Sequence, residues 1–452
     1  MTSTIKVNNI QNQCGANIIK ESSNTITLGA SGDNIVLASG ATQAGFGREG
    51  SVNWQTGSIK TSTFTATSGE GYFCNTAGGT FEVDLPAGSA GAIVSIQDYN
   101  NTFDSNNLTV DPNGSEKING GTAGGFITLS TEGLGLTFVY IDATVGWRSV
   151  QSNEYSTSGT VPTFIVASVS GACNTLTTAP DCGNFKVAKF IGPGNFTVCS
   201  VGNVSGSNTV DYTVVAGGAG AGRDGGGGGG AGGSRTNFPS SNSGLSVTAS
   251  AFPITVGAGG AGAPGPAPGG GPAGSNGANS IFSSITSAGG GGGGTGPGST
   301  AGVAGGSGGG GGRSSLAGGS GNTPPVSPSQ GNNGGTGGPN PGGGGGGGGH
   351  SAVGVNAPGT NGGNGGAGTA TTITGSSLTF AGGGGGSSPP SGTAGTGGAG
   401  GGGIGNRGST TPVGNRAGTT NTGGGGGGES GNVDNGGGNG GSGIVIIRYK
   451  FQ

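Results

Sequence analysis

The sequence predicts an all-β protein that carries a bundle of polyglycine-II helices and no significant α-helix. Three observations point there. Short runs rich in Val, Ile, Thr, Phe and Tyr recur before residue 217, separated by Gly, Asn, Asp and Pro. No stretch of useful length shows a helical apolar period. Of 122 glycines, 29 fall in residues 1–216 and 93 in residues 217–452, and the glycine runs are joined to β-like segments.

Residues 1–50 read as a β-stalk. "TITLGASGD" (Thr25–Asp33) and "NIVLASGAT" (Asn34–Thr42) are near-copies offset by nine residues. Each offers two apolar residues to one strand face, too few to bury alone. Stacking or wrapping around other copies would bury them, so a trimer is the natural assembly.

Residues 51–155 read as a small β-sandwich. "STFTATS", "YFCNT", "TFEVDLP", "AIVSIQDY", "NLTVD", "FITLS" and "LTFVYID" have the spacing of short strands between turns. Trp147 in "GWRSV" is expected to cover one end of that core. A Ser/Thr-rich linker, "YSTSGTVPT", follows. "TFIVASV", "NFKVAKFI" and "NFTVCSV" then continue the β pattern, with a turn at Gly192–Asn195.

The glycine-rich part begins at residue 217 and is expected to fold. "VDYTVVA", "LSVTASAFPITVG", "NSIFSSITSA", "TTITGSSLTFA" and "SGIVIIRYKFQ" are strand candidates among the glycines, and a random linker has no reason to carry them. The last is costly to leave exposed, and its natural partner is "VDYTVVA", which would close one unit around a long insertion. A chain in the polyproline-II conformation has three residues per turn and points its amides and carbonyls outward. Without side chains, several such helices can pack together and bond to one another. Uninterrupted runs at Gly225–Gly230, Gly289–Gly294, Gly308–Gly312, Gly342–Gly349, Gly382–Gly386 and Gly423–Gly428 suit buried helices. Repeats of two glycines and one other residue, at 334–339, 362–367, 397–402 and 437–442, suit outer helices with one side chain toward solvent. The alternative is a disordered linker of low complexity.

Several function classes are disfavoured. Charged residues make up 7% of the chain and the formal net charge is −3. No basic stripe suits a nucleic acid, no apolar run approaches a membrane span, and no secretory signal opens the chain. The chain reads as soluble and not inserted in a membrane. Five cysteines at wide spacing, with no CxxC and one histidine, offer no zinc set. They read as buried or free thiols, with a Cys173–Cys182 disulfide open to an oxidising compartment.

Enzyme signals are weak. The many GxGxxG matches follow from glycine content, without βαβ context, and there is no Walker A loop. A catalytic triad would rest on His350 alone. Glu82 and Asp84 share a strand face, as paired glycosidase acids can, but a solvated face explains them as well. Asp111, Asn113 and Ser115 resemble part of a calcium loop with its glycine misplaced, and a turn is the safer reading. No cofactor, metal or catalytic residue is expected.

The segments "VDYTVVAGG", "SAFPITVGAGG", "NSIFSSITSAGGGGGG", "NTGGGGGG" and "GGSGIVIIRYKF" resemble those of glycine-rich bacteriophage tail-fibre and adhesin proteins, of the type known mainly from marine phages. "STIKVNNIQNQCGANIIKESSNTITLGASGD" and "GYFCNTAGGTFEVDLPAGSAGAIVSIQDYNNTFDSNNLTV" are similar to other tail-fibre modules. The resemblance implies a virion protein assembled in the host cytoplasm. Residues 1–50 would attach to other tail proteins and trimerise, 51–155 would act as a spacer, and 156–452 would form a receptor-binding head. The partner would be a host outer-membrane protein or surface glycan. The alternative is a decoration or connector that touches no receptor.

If the glycine helices are scaffold, recognition belongs where side chains return, in the loops. The candidates are 235–243, 322–333, 350–361, 387–393, 406–421 and 429–435. Within them Arg235, Phe238, Pro239, His350, Arg407, Asn415 and Arg416 are the expected receptor-binding residues. Antiparallel helices put successive connections at alternate ends, so about half of these loops share one end.

Overall fold

The computed structural model describes residues 9–11, 17–22, 25–28, 52–150, 159–180, 183–203, 206–239, 244–265, 271–296, 300–408, 415–431 and 436–452. The protein is all-β, without α-helix among these residues. It divides into a unit of residues 1–160 and a unit of residues 161–452.

In the first unit, strands Asn9–Gln11, Asn17–Ser22 and Thr25–Leu28 form an antiparallel sheet. The second copy of the nine-residue repeat lies outside the described residues. Two further sheets enclose one apolar core, as a sandwich requires, but the chain is wound differently from an antiparallel sandwich. It alternates between the sheets. Asn53–Trp54, Glu70–Cys74 and Ile93–Asp98 pair in parallel in one, and Phe64–Thr65, Phe81–Asp84 and Leu108–Asp111 do so in the other. Antiparallel strands Ile127–Leu129, Gly135–Asp142 and Gly146–Ser149 complete the two layers. Val83, Leu85, Val94, Ile96, Leu108, Val110 and Phe138 fill the space between. Trp147 is fully buried there and donates from Nε1 to Glu116 at 3.0 Å, so it is a core residue.

The second unit begins with two sheets packed over a common core of Phe190, Phe196, Val214, Phe282, Val445 and Ile447. The strand Thr209–Val215 pairs antiparallel with Ile444–Lys450, joining the two ends of the glycine-rich part as expected. Phe185–Phe190 flanks the latter strand, and Ser234–Thr236 flanks the former. The hairpin of Thr369–Thr371 and Leu378–Phe380 brings Ile373 and Phe380 to a second cluster with Val187, Val215, Ile444 and Ile446.

Beyond the sheets the glycines form the predicted bundle, and threefold periodicity governs its bonding. Along the run 226–233, Gly227, Gly230 and Gly233 donate to Gly294, Gly291 and Ala288. Gly228 and Ala231 donate to Gly345 and Gly348, and Gly229 and Gly232 to Gly426 and Gly423. Its carbonyls accept from 216–222, 307–313 and 384–387. The run is therefore encircled by six others, and those six bond to each other in a closed ring. Gly290 donates to Gly217, Gly291 to Ser307, Gly345 to Gly311, Gly344 to Ser387, Gly425 to Gly382 and Gly426 to Ala219. Helices with three residues per turn and three bonding directions tile in this hexagonal way.

The uninterrupted glycine runs are the central helix and five of the ring. The sixth ring member, 216–222, carries Ala216, Ala219 and Ala221, all fully buried, and its alanines concealed it in the sequence. The repeats at 334–339, 362–367 and 437–442 lie in the outer layer, as expected, whereas 397–402 is not one helix: the chain turns at 399–401, with φ of +99° at Gly400 and +94° at Gly401. Runs 257–263, 316–321, 353–358, 393–398 and 415–419 each back a single ring member, namely 216–222, 307–312, 342–349, 382–387 and 423–428. Runs 274–278 and 300–306 bond to 289–294 from its flanks, but among the described residues no run backs 289–294 alone. Its outward amides at Gly289 and Gly292 bond instead to the side-chain oxygens of Asn279 and Asn276, each at 2.9 Å.

Candidate functional site

The registers sort the described loops between the two ends of the bundle. Run 216–222 leaves the sheets directly from the strand 209–215, and each following run reverses direction. The turns at 223–225, 313–315, 339–341, 359–361 and 389–392, with Arg407, lie at the far end. The connections 237–239, 322–330, 350–352, 369–380 and 420–422 lie beside the sheets. The expected loops are thus divided between two surfaces.

At the far end several of the few charged residues of the glycine-rich part come together. Asp224, with φ of +49°, turns the chain into the central helix and pairs with Arg313 at 2.8 Å. Glu429 is buried and accepts from the Gly431 amide at 2.9 Å and the Asp224 amide at 3.4 Å. Burial pushes its carboxyl above the usual range. Arg407 is exposed and clasps the Pro390 carbonyl through Nε and Nη2 at 3.2 and 2.9 Å. Asn415 is also exposed. Arg416 is not available to a receptor: it is 1% exposed and donates from Nη1 to the Gly436 carbonyl at 2.7 Å. Its guanidinium, held below its usual pKa by burial and supported by Glu429, closes the end of the bundle from inside. The expectation is corrected for that residue. Sequence alone could not tell a buried arginine from a loop one, because the packing that surrounds it is made of backbone.

At the sheet end His350 is also a packing residue. Its amide donates to the Ala381 carbonyl at 2.9 Å, and its ring Nδ1 meets the Thr369 hydroxyl. Burial lowers its pKa. Arg235 is half-buried in the strand beside Val214.

Phe238 and Pro239 lie at a pocket of about 400 Å³ on the face of the six-stranded sheet. Asn237 fixes them: its side chain accepts from the Tyr212 amide at 2.6 Å and donates to the Val210 carbonyl at 3.3 Å, imitating one more strand residue. Arg448 stands beneath, 4.5 Å from the Phe185 ring and 5.4 Å from the Phe238 ring. Asp211, directly across from Arg448 in the sheet, and Lys450 complete the charged lining. Phe185, Arg448 and Lys450 were missed as site residues. For Arg448 and Lys450 the signal is the alternation in "IIRYK", which puts both on one strand face.

The first unit holds a second cluster. Glu82 and Asp84 are joined by Asp111, which the parallel register sets opposite Asp84, and one oxygen of each lies within 4.8 Å of the others. All three are half-buried rather than a fully solvated face, and Asp111 is a strand residue rather than a turn residue. Burial and the two neighbouring carboxyls push Glu82 up to about 7. The group can share a proton or present oxygens to a hard cation. Of the cysteines, Cys74 is buried and Cys173 and Cys199 are exposed free thiols, while Cys182 lies outside the described residues.

Residues 192–450 match the family model of a glycine-rich domain. A search of curated proteins found no match.

Proposed function

This chain belongs to the glycine-rich domain family, and on that premise we propose that it is a bacteriophage tail-fibre protein that attaches the virion to its host. Residues 1–50 join other tail proteins and trimerise, and the far end of the glycine bundle meets a surface protein or glycan of the cell. The protein acts by adhesion rather than catalysis. Many weak contacts suffice, because several copies per particle raise the effective concentration.

One observation supports this reading above others. Residue 161 leads into the sheets on the side opposite the bundle, where the Thr163 carbonyl accepts from the Asn203 and Ser207 amides in the turn before strand 209–215. Within this unit the far turns of the bundle therefore lie at the end opposite residue 161. Those turns present Pro339, Asn340, Pro341, Thr360, Asn361, Pro390, Ser391 and Arg407 to solvent. Polar, proline-stiffened loops on a rigid scaffold are suited to recognition.

The test is binding of fluorescently labelled full-length protein to a panel of marine bacterial isolates. Saturable binding to a subset of strains is expected, lost when 389–392 is exchanged and Arg407 replaced by alanine. A folded protein that binds no strain would favour the structural alternative, a decoration or connector of the virion.

A further inference from the structure

We infer that the pocket between Phe238 and the sheet is a binding site for an acidic saccharide. It is separate from the far-end surface, and either can fail without the other. The volume of about 400 Å³ suits one or two sugar rings and is too small for a folded partner. Its chemistry is mixed in the manner a sugar needs. Phe185 and Phe238 offer ring surface to the C–H face of a pyranose. The turn 206–209 supplies backbone groups and the side chains of Ser207, Asn208 and Thr209, which match ring hydroxyls. Asp211 accepts from hydroxyl donors. Lys450 and Arg448 give the lining one more positive than negative charge, which selects a carboxylate on the ligand.

The pocket is built rather than incidental. Arg448 is only 7% exposed and is held between two aromatic rings, so its position is set before any ligand arrives. The opposite wall is fixed by Asn203, whose side chain accepts from the Gly206 and Thr163 amides at 2.9 and 3.1 Å and donates to the Val161 carbonyl at 2.8 Å. Lys450 lies 5.2 Å from the Phe164 ring and remains half-exposed, free to meet an anion at the rim. Both walls are thus pinned by side chains with no role in the glycine bundle.

The experiment is ligand-observed NMR and titration with the full chain. The probes are glucuronate, galacturonate and N-acetylneuraminate, with glucose and galactose as neutral counterparts. At least one acid is expected to bind saturably, and its neutral counterpart about tenfold more weakly or worse, the effect of one charged hydrogen bond. Lys450→Met and Phe238→Ala should each weaken binding about tenfold, while Arg407→Ala at the far end should leave it unchanged. If Phe238→Ala alters the melting of the head, Lys450→Met carries the test, since its amine is not part of the core. Failure of all three acids to bind overturns the inference. So does equal binding of the neutral sugars, or an affinity indifferent to Lys450→Met.

Discussion

A Cβ placed on Gly384 would lie 1.8 Å from the carbonyl oxygen of Gly426. The two residues stand on adjacent ring helices and both bond to Gly229 of the central run: Gly229 donates to Gly426 at 2.8 Å and accepts from Gly384 at 2.9 Å. Close approach of three backbones is what the absence of side chains makes possible. It also makes the middle of the bundle intolerant of the smallest side chain. Gly384→Ala is expected to cost more than about 4 kcal/mol, beyond the usual range for a single substitution, because backbone on two sides must shift. Val355→Ala, on an outer run where the valine is 47% exposed, should change stability by less than about 0.5 kcal/mol. Calorimetry of the head transition in both variants checks the contrast.

Much of this architecture is legible in the sequence because backbone bonding has a period. Uninterrupted glycine marks helices bonded on all sides, and one residue in three marks an outward face, so the layer of most runs can be read from the residues alone. Alanine breaks the rule at 216–222, where methyl groups fit a ring position that glycine content did not reveal. The parallel winding of the first unit was hidden for a different reason. Strand pairs 53↔70 and 70↔94 are separated by unequal lengths of chain, so no repeat betrays them. Arg416 and His350 show the limit for sites. Polar residue type suggested exposure, but in a bundle made of peptide groups a guanidinium or imidazole finds carbonyls inside.

The asparagines at the vacant corner beside 289–294 should be structural. Asn276 and Asn279, three residues apart on one helix face, supply the acceptors that a further glycine helix would provide. Removing either leaves an amide of Gly292 or Gly289 without its partner, at a cost of about 1–3 kcal/mol. Asn276→Ala and Asn279→Ala should each lower the melting temperature of the head. Hydrogen exchange should quicken at Gly292 in the first variant and at Gly289 in the second. Asn276→Asp keeps an acceptor and should keep protection at Gly292.

Glu429 makes the head sensitive to pH in a definite direction. Burial raises its carboxyl above the unfolded value near 4.3, against the amides of Gly431 and Asp224 and the charge of Arg416, which favour ionisation. The folded state therefore holds the proton more tightly. Its contribution is fully present below the unfolded pKa and is lost as pH rises through the folded pKa. Denaturant titrations of the head across acidic to neutral pH should show stability falling over that window. Glu429→Gln, which keeps an oxygen for the Gly431 amide, should flatten the slope. An unchanged slope in that variant would assign the dependence elsewhere.

The carboxylate cluster gives the first unit its own titration. Glu82 is pushed up to about 7 by burial and by Asp84 and Asp111, so near neutral pH it is about half protonated and can share its proton with them. Because the folded pKa is raised, stability from this group is present below the unfolded value and fades as pH rises through 7. Carbon-13 NMR of the Glu82 carboxyl should show a midpoint near 7 rather than near 4.3. Asp84→Asn removes one like charge and should move that midpoint down, and Asp111→Asn should do the same. Glu82→Gln should abolish the neutral transition and make the unit more stable at alkaline pH than the parent protein. A Glu82 midpoint in the ordinary carboxylate range would mean that the three oxygens do not approach in solution as they do in the folded strands.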